Sequence, residues 1–341
     1  MAKNGSVIYE KYIGLSDLRK TDPITASTPF HVASTGKPIT AVAILKMVQE
    51  KKLSLDDSIS KFFPGLPYPG ITVKMLLNHR SGLPNYVYFI PNSDWDINKN
   101  ASNNDVLNIL YTGQPKKSYP AGTHFSYSNT NFVLLALIIE KISGESFPVY
   151  MKKNIFDPLG MTNTFVYTAA DSLRATPSFN YNRTLFPNDF LDETYGDKNV
   201  YTTARDLLKF DQALYSDQFI NKSLLDAAFT PYSLETRSVH NYGLGWHLLM
   251  LPNGKKVIYH FGRWHGFNAA FARLTDEKVT IIIMGNKFSW TIYNSAHKCY
   301  DIFGDYKQGY NADDEEDKEP VRKRSSPKTH RKKTPTVRRH K

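Results

Sequence analysis

From residue 242 onward the chain changes character: short apolar runs at 245–251, 256–260, 267–274 and 279–284 alternate with turns, and Asn253-Gly254 joins the first two. Runs of this length, rich in β-branched and aromatic residues, read as strands, and Asn-Gly is the dipeptide that folds one strand back on the next. An amphipathic stretch at 292–303 follows as a helix.

Earlier residues follow a different pattern. Ala41, Val42, Ile44, Leu45 and Val48 recur at the spacing of one buried helix face, so 39–48 reads as a helix ending near Lys51-Lys52. Helical patterns also occupy 73–77, 132–142 and 204–214, set among loops rich in Pro, Asn and Tyr. Near the start, Asn4-Gly5 is a second hairpin signal, and 7–13 reads as a strand. Only three residues precede that turn, too short an arm for a hairpin unit. The expectation is therefore a fold whose first strand lies outside this sequence, with an exposed edge able to self-pair.

The 341 residues, 41% of them apolar, suffice for a large core. No run reaches the roughly 18 apolar residues of a membrane span, and the opening Met1-Ala2-Lys3-Asn4-Gly5 lacks the apolar run of a signal peptide. Cys299 is the single cysteine, which excludes an internal disulfide and a cysteine-based metal cluster. The net charge of +11 is concentrated near the end, where an acidic run at 313–319 gives way to a Pro, Ser, Lys and Arg-rich stretch. Residues 306–341 read as a disordered tail able to touch anionic surfaces, and no specific nucleic-acid partner is expected.

Three strings carry chemistry: Ser34-Thr35-Gly36-Lys37, Tyr127-Ser128-Asn129 and His260-Phe261-Gly262. A serine hydroxyl becomes a useful nucleophile when a neighbour takes its proton, and a lysine three residues on shares its helix face. S-x-x-K alone is weak, since Ser58–Lys61, Ser295–Lys298 and Ser325–Lys328 also fit. Ser34 differs because an apolar approach precedes it and a helix follows, which puts it at a helix N-terminus. Lys37 is a candidate base if its site disfavours the ammonium, through desolvation or a neighbouring cation such as protonated His260. Tyr127 is a second candidate base, and Asn129 offers an amide to a substrate carbonyl. Gly262 allows close approach of a substrate backbone, and the backbone N–H groups of Ser34 and Arg263 are the candidate oxyanion hole. His260 and His265 suggest a metal pair, but no third ligand lies at a familiar spacing, so neither metal nor cofactor is expected.

These strings, together with Leu76-Leu77-Asn78-His79-Arg80-Ser81-Gly82-Leu83-Pro84, Asp157-Pro158-Leu159-Gly160-Met161, Thr203-Ala204-Arg205-Asp206-Leu207 and Tyr242-Gly243-Leu244-Gly245-Trp246, resemble the serine β-lactamase and penicillin-recognising hydrolase family. The likeness is to its class C β-lactamase, D,D-peptidase and esterase branch, from about residue 3 to residue 305. It implies a mixed α+β fold: an antiparallel sheet flanked by helices, formed by 1–60 and 236–305, plus a mainly helical domain at 61–235, with the active site between them. It also implies that Ser34 is the nucleophile, Lys37 and Tyr127 the proton-transfer pair, Asn129 a substrate contact and His260-Phe261-Gly262 the substrate-lining strand. Family members normally carry a helix and strand before Asn4-Gly5, and many are exported, which would make a longer form periplasmic or secreted.

Three departures bear on activity. Histidine at 260, where β-lactamases of this branch carry lysine, resembles the D,D-peptidase and esterase members. Phe261 replaces a usual hydroxyl residue that helps bind a substrate carboxylate. Pro38 biases Lys37 away from helical angles, which would misplace its amine. The expected reaction is acyl transfer from a small ester or amide to water. The rivals are a true β-lactamase, a weak or inactive penicillin-binding sensor, and a domain whose basic tail tethers it to a surface.

Overall fold

The computed structural model describes residues 1–307. Ten strands occur among these residues: β1 (Ala2–Lys3), β2 (Ser6–Val7), β3 (Phe30–His31), β4 (Phe165–Val166), β5 (Val200–Thr202), β6 (His240–Tyr242), β7 (His247–Met250), β8 (Lys256–Trp264), β9 (Phe267–Leu274) and β10 (Val279–Gly285). Seven form one antiparallel sheet in the order β2-β1-β10-β9-β8-β7-β6, and β3-β5-β4 form a second, small sheet. The helices are α1 (Lys37–Gln49), α2 (Val73–Leu77), α3 (Tyr86–Phe89), α4 (Asn103–Thr112), α5 (Asn129–Ser143), α6 (Phe147–Met151), α7 (Ala204–Ala213), α8 (Lys222–Ala228) and α9 (Thr291–Tyr300).

The short first hairpin does form. Asn4 and Gly5 have φ of 50° and 77°, the two left-handed positions of a tight hairpin turn, and Ala2 and Lys3 pair with Val7 and Ser6. The two-residue arm persists because its other edge pairs with Val279 and Thr280 of β10. The strand expected over 7–13 does not: only Ser6–Val7 pairs, and beyond it the backbone N–H groups of Ile8 and Tyr9 both turn back to Met1 O. Val7, Ile8, Tyr9 and Ile13 are exposed along this edge.

Alternation along the sheet separates two cores. Leu248, Ile258, Ala269 and Phe271 face the large core, which contains α1 and α5. Leu249, Val257, Tyr259, Phe261, Ala270, Ala272 and Ile281 face the other way, against Tyr293, Ala296 and Tyr300 of α9. Tyr306, which the sequence reading put in the tail, is buried in this second layer and its hydroxyl reaches Glu277. The rest of the tail expectation lies outside the described residues.

Helix α1 departs from the one-face reading. Ten of its residues are buried, including Lys37 and Thr40, because α1 runs through the large core with α5 packed against it. Helix α5 is buried from Asn129 through Ile139. Two of the three candidate strings lie at the starts of these enclosed helices.

Candidate active site

Chain direction and backbone geometry present Ser34. β3 ends at His31, Val32 takes φ −94° and ψ 3°, and Ala33 takes φ +50°, a left-handed conformation that side-chain-bearing residues rarely adopt. A 3₁₀ turn, Ala33–Gly36, then runs directly into α1. Ser34 therefore lies on a sharp strand-to-helix turn.

Pro38 does not displace the lysine. Lys37 has helical φ −59° and ψ −44°, and Pro38 lies within the first two positions of α1, where an N–H has no intrahelical partner. The Lys37 side chain is wholly buried, and its Nζ donates to Ser34 Oγ at 2.9 Å and to Asp197 O at 2.9 Å. Tyr127 ends the loop before α5 with its ring centroid 4.9 Å from that amine. Asn129 opens α5: its backbone N–H donates to Asn85 Oδ1 at 3.3 Å, and its buried Oδ1 meets no hydrogen-bonding partner among the described residues. Ser34, Lys37 and Tyr127 are thus gathered at one place, and Asn129 follows Tyr127 by two residues at the start of α5.

Strand β8 closes the other side. A Cβ added to Gly262 would lie 2.2 Å from Val32 O and 2.9 Å from Ser34 N, so only glycine lets the strand lie this close to the Ser34 turn. Thr35 Oγ1 donates to His260 O at 3.2 Å and fixes the same approach. From behind, the Tyr293 hydroxyl donates to Gly262 O at 2.9 Å.

The histidine of this strand is corrected. His260 has no exposed surface: its Nε2 lies 3.2 Å from Tyr242 Oη, and its Nδ1 lies 2.8 Å from Phe261 O. Burial, then His247 and Lys37, push it well below the usual histidine value, so it is a neutral packing partner and not a cation acting on Lys37. Phe261 is corrected too. It points to the opposite face, stacked on Tyr293 at 5.5 Å and beside His297 at 5.3 Å, away from Ser34. The Arg263 guanidinium lies over Trp290 and Phe288, at 5.3 and 5.9 Å. His265 of the suggested metal pair meets Asp192 Oδ1 at 2.8 Å.

The model of the family described as Beta-lactamase matches residues 1–297. The chain belongs to the beta-lactamase family. Among its relatives, penicillin-binding protein 4* of Bacillus subtilis is 34% identical over 312 residues, covering 86% of this chain and 69% of that protein. A penicillin-binding protein of Bacillus halodurans superposes with a TM-score of 0.77 at 23% identity, over 88% of this chain and 93% of that one. The D-amino acid amidase of Ochrobactrum anthropi SV3 superposes at 0.67 and 25% identity, over 82% and 84%. The β-lactamase and transpeptidase-like α+β fold follows from these likenesses, and so does the broad class of the chain, a serine hydrolase of the beta-lactamase family.

Within this beta-lactamase-family fold, the sequence reading missed the floor of the site. Asp197 gives its carbonyl to Lys37, while its Oδ2 accepts from the Tyr86 hydroxyl at 2.8 Å. Lys198 Nζ donates to Tyr86 Oη at 2.6 Å and to Thr194, and its amine lies 4.8 Å from the Trp264 ring. Asp197 and Lys198 are both buried, a charged pair with no exposed face. The available signal was Asp197-Lys198-Asn199 lying just before the short strand Val200–Thr202.

His79 was missed as well. Its Nδ1 accepts the Ser128 N–H at 3.2 Å and an Asn131 amide N–H at 2.9 Å, and its ring lies 4.3 Å from that of Tyr127. Burial, with Lys37 and His247 adding to it, holds His79 well below the usual value, so Nδ1 keeps the lone pair that fixes the Tyr127 loop.

Proposed function

We propose that the protein hydrolyses small esters or amides, with D-amino-acid amides and peptides as the leading class, through an acyl-enzyme on Ser34. The observation that carries this reading is the 2.9 Å contact between Lys37 Nζ and Ser34 Oγ, made by a wholly buried amine. Family membership and the likeness to a D-amino acid amidase support the substrate class. Histidine at 260, which resembles the peptidase and esterase branch, weighs against efficient β-lactam hydrolysis.

The proposed chemistry has two halves. Ser34 Oγ attacks the substrate carbonyl and its proton passes along the same short contact to Lys37, which serves as base in its deprotonated form. The oxyanion is received by the backbone N–H groups of Ser34 and Arg263, a pairing that the close approach of Gly262 to the Ser34 turn favours. The C–O or C–N bond then breaks, and the departing alcohol or amine takes the proton back through Lys37 and Tyr127. In the second half, water attacks the acyl carbon, gives a proton to the same pair, and releases the acid as Ser34 recovers its hydroxyl. Asn129 Oδ1, buried without a partner, is the proposed acceptor for a substrate N–H. Its amide side chain suits an amide or peptide substrate.

The test is to incubate the folded protein separately with an activated ester, a D-amino-acid amide and a labelled penicillin, and to locate adducts by mass spectrometry. An adduct on Ser34 with turnover of the ester and amide is expected. No adduct on Ser34 with any probe overturns the reading. Rapid penicillin turnover would move the substrate class to β-lactams.

A further inference from the structure

His31 is a buried histidine that the chemistry above does not use, and it bridges the two segments that the chemistry depends on. Its Nδ1 accepts the backbone N–H of Ala33 at 3.1 Å. Its Nε2 lies 3.1 Å from Asn199 Oδ1 and faces the Asn199 backbone N–H, also at 3.1 Å. Asn199 Nδ2 donates to Asp192 O at 2.5 Å, which turns Oδ1 toward the imidazole as an acceptor. Either neutral tautomer ties the ring to Asn199, through Oδ1 when Nε2 carries the proton and through the backbone N–H when it does not, and the tautomer with its proton on Nε2 leaves Nδ1 to receive Ala33.

Both ends of this bridge are residues in the left-handed region. Ala33 has φ +50° and Asn199 has φ +70°. Such conformations persist in side-chain-bearing residues when surrounding contacts over-determine them. Ala33 immediately precedes Ser34. Asn199 follows Asp197 by two residues, and Asp197 O is the acceptor that anchors Lys37. The ring itself is wedged between Tyr201, 5.1 Å away edge-on, and Phe267, 5.4 Å away, so it has little freedom to turn. Burial pushes His31 down to about 3, which keeps the ring neutral, with one nitrogen free to accept, at any ordinary pH.

The geometry points to His31 as a positioning residue that sets the Ser34 turn against the Lys37 anchor, through Ala33 on one side and Asn199 on the other. This rests on the reading of Ser34 as nucleophile. The role differs from filling the core, because it needs an acceptor at the Nδ1 position and not merely a ring-sized apolar group.

Three variants separate the two roles: His31→Leu, which fills space without an acceptor; His31→Phe, which keeps a ring without one; and His31→Asn, whose amide oxygen can take the place of Nδ1. The measurement is the acylation rate of Ser34 by an activated ester, resolved into probe affinity and maximal rate, per labelled site and with folding checked by circular dichroism. His31→Leu is expected to lower the maximal rate at least about tenfold with affinity little changed, since small displacements of reacting groups cost this much or more. His31→Asn is expected to recover most of that loss, and His31→Phe to be as slow as His31→Leu. A His31→Leu rate equal to wild type overturns the proposal. If His31→Leu does not fold, a wild-type maximal rate in His31→Phe overturns it instead. His31→Asn as slow as His31→Leu at equal stability also overturns it. A wild-type protein that is never labelled brings down the nucleophile reading itself, which distinguishes the two failures.

Discussion

Lys37 Nζ stands 2.9 Å from Ser34 Oγ although a proline follows Lys37 directly. A residue before proline avoids helical angles because the proline ring crowds its backbone, yet Lys37 is helical. The surroundings impose this: the 3₁₀ turn from Ala33 delivers the chain already curled, α1 is enclosed by the core, and the amine is anchored on Asp197 O. Pro38 then stiffens the first turn of the helix that carries both groups.

Lys37 separates a base from a mere countercharge. Lys37→Ala is expected to lower Ser34 acylation about 10²–10⁴-fold, the range over which a positioned base contributes. Lys37→Arg keeps a cation that does not give up its proton, and is expected to be as slow as alanine. Stopped-flow acylation by an activated ester checks both, and an active arginine variant would assign Lys37 an electrostatic role instead.

Gly262 tests the approach of β8 to the Ser34 turn. In Gly262→Ala the new methyl would lie 2.2 Å from Val32 O and 2.9 Å from Ser34 N, so strand and turn must separate. A displacement of that kind is expected to slow acylation about 100-fold. The variant should remain folded by circular dichroism, because β8 keeps its pairing with β7 and β9.

Phe261→Thr restores the hydroxyl residue usual in related β-lactamases, but on the face turned toward α9. No gain in penicillin turnover is expected. Loss of the ring packed on Tyr293 and His297 is expected to lower stability by about 3 kcal/mol, as for other large-to-small core changes. Denaturant unfolding and a chromogenic β-lactam assay together decide it, and faster β-lactam turnover would contradict the assigned orientation.

What sequence exposed and what it hid have physical reasons. Strand 267–274 and helix 73–77 were read to the residue, because each has turn or cap residues at both ends. The placement of Ser34 and Lys37 on one turn was legible from local spacing. The orientation of Phe261 was not, because β8 is buried on both faces from Val257 to Gly262 and its apolar run conceals the period of two. Nor was the pairing of β3 with β5, which joins His31 to Tyr201 across a long stretch of chain with two- and three-residue strands. The Asp197, Tyr86 and Lys198 floor escaped for the same reason: its members meet only after the long-range fold is complete.

The three neutral histidines around the site give the protein a defined acid sensitivity. His31, His79 and His260 are all wholly buried and all held below the ordinary histidine value, chiefly by that burial. In the unfolded chain each titrates near 6.5. Above that pH neither state binds the proton, so this contribution is fully present. Below it the unfolded chain takes up protons that the folded protein refuses, and stability falls as pH falls, until the folded values are reached. Each histidine is expected to destabilise the fold as pH falls from 7 to 5, and the three act in the same direction. Depressed carboxylates such as Glu10, held at about 2 by Arg205 and Tyr12, respond only below the ordinary carboxylate range, so the window from pH 6.5 to 5 isolates the histidines. Urea unfolding across that window is expected to show a slope approaching three protons, reduced by one in His79→Asn. A free energy of unfolding that stays flat from pH 6.5 to 5 would mean that these imidazoles accept protons in the folded protein.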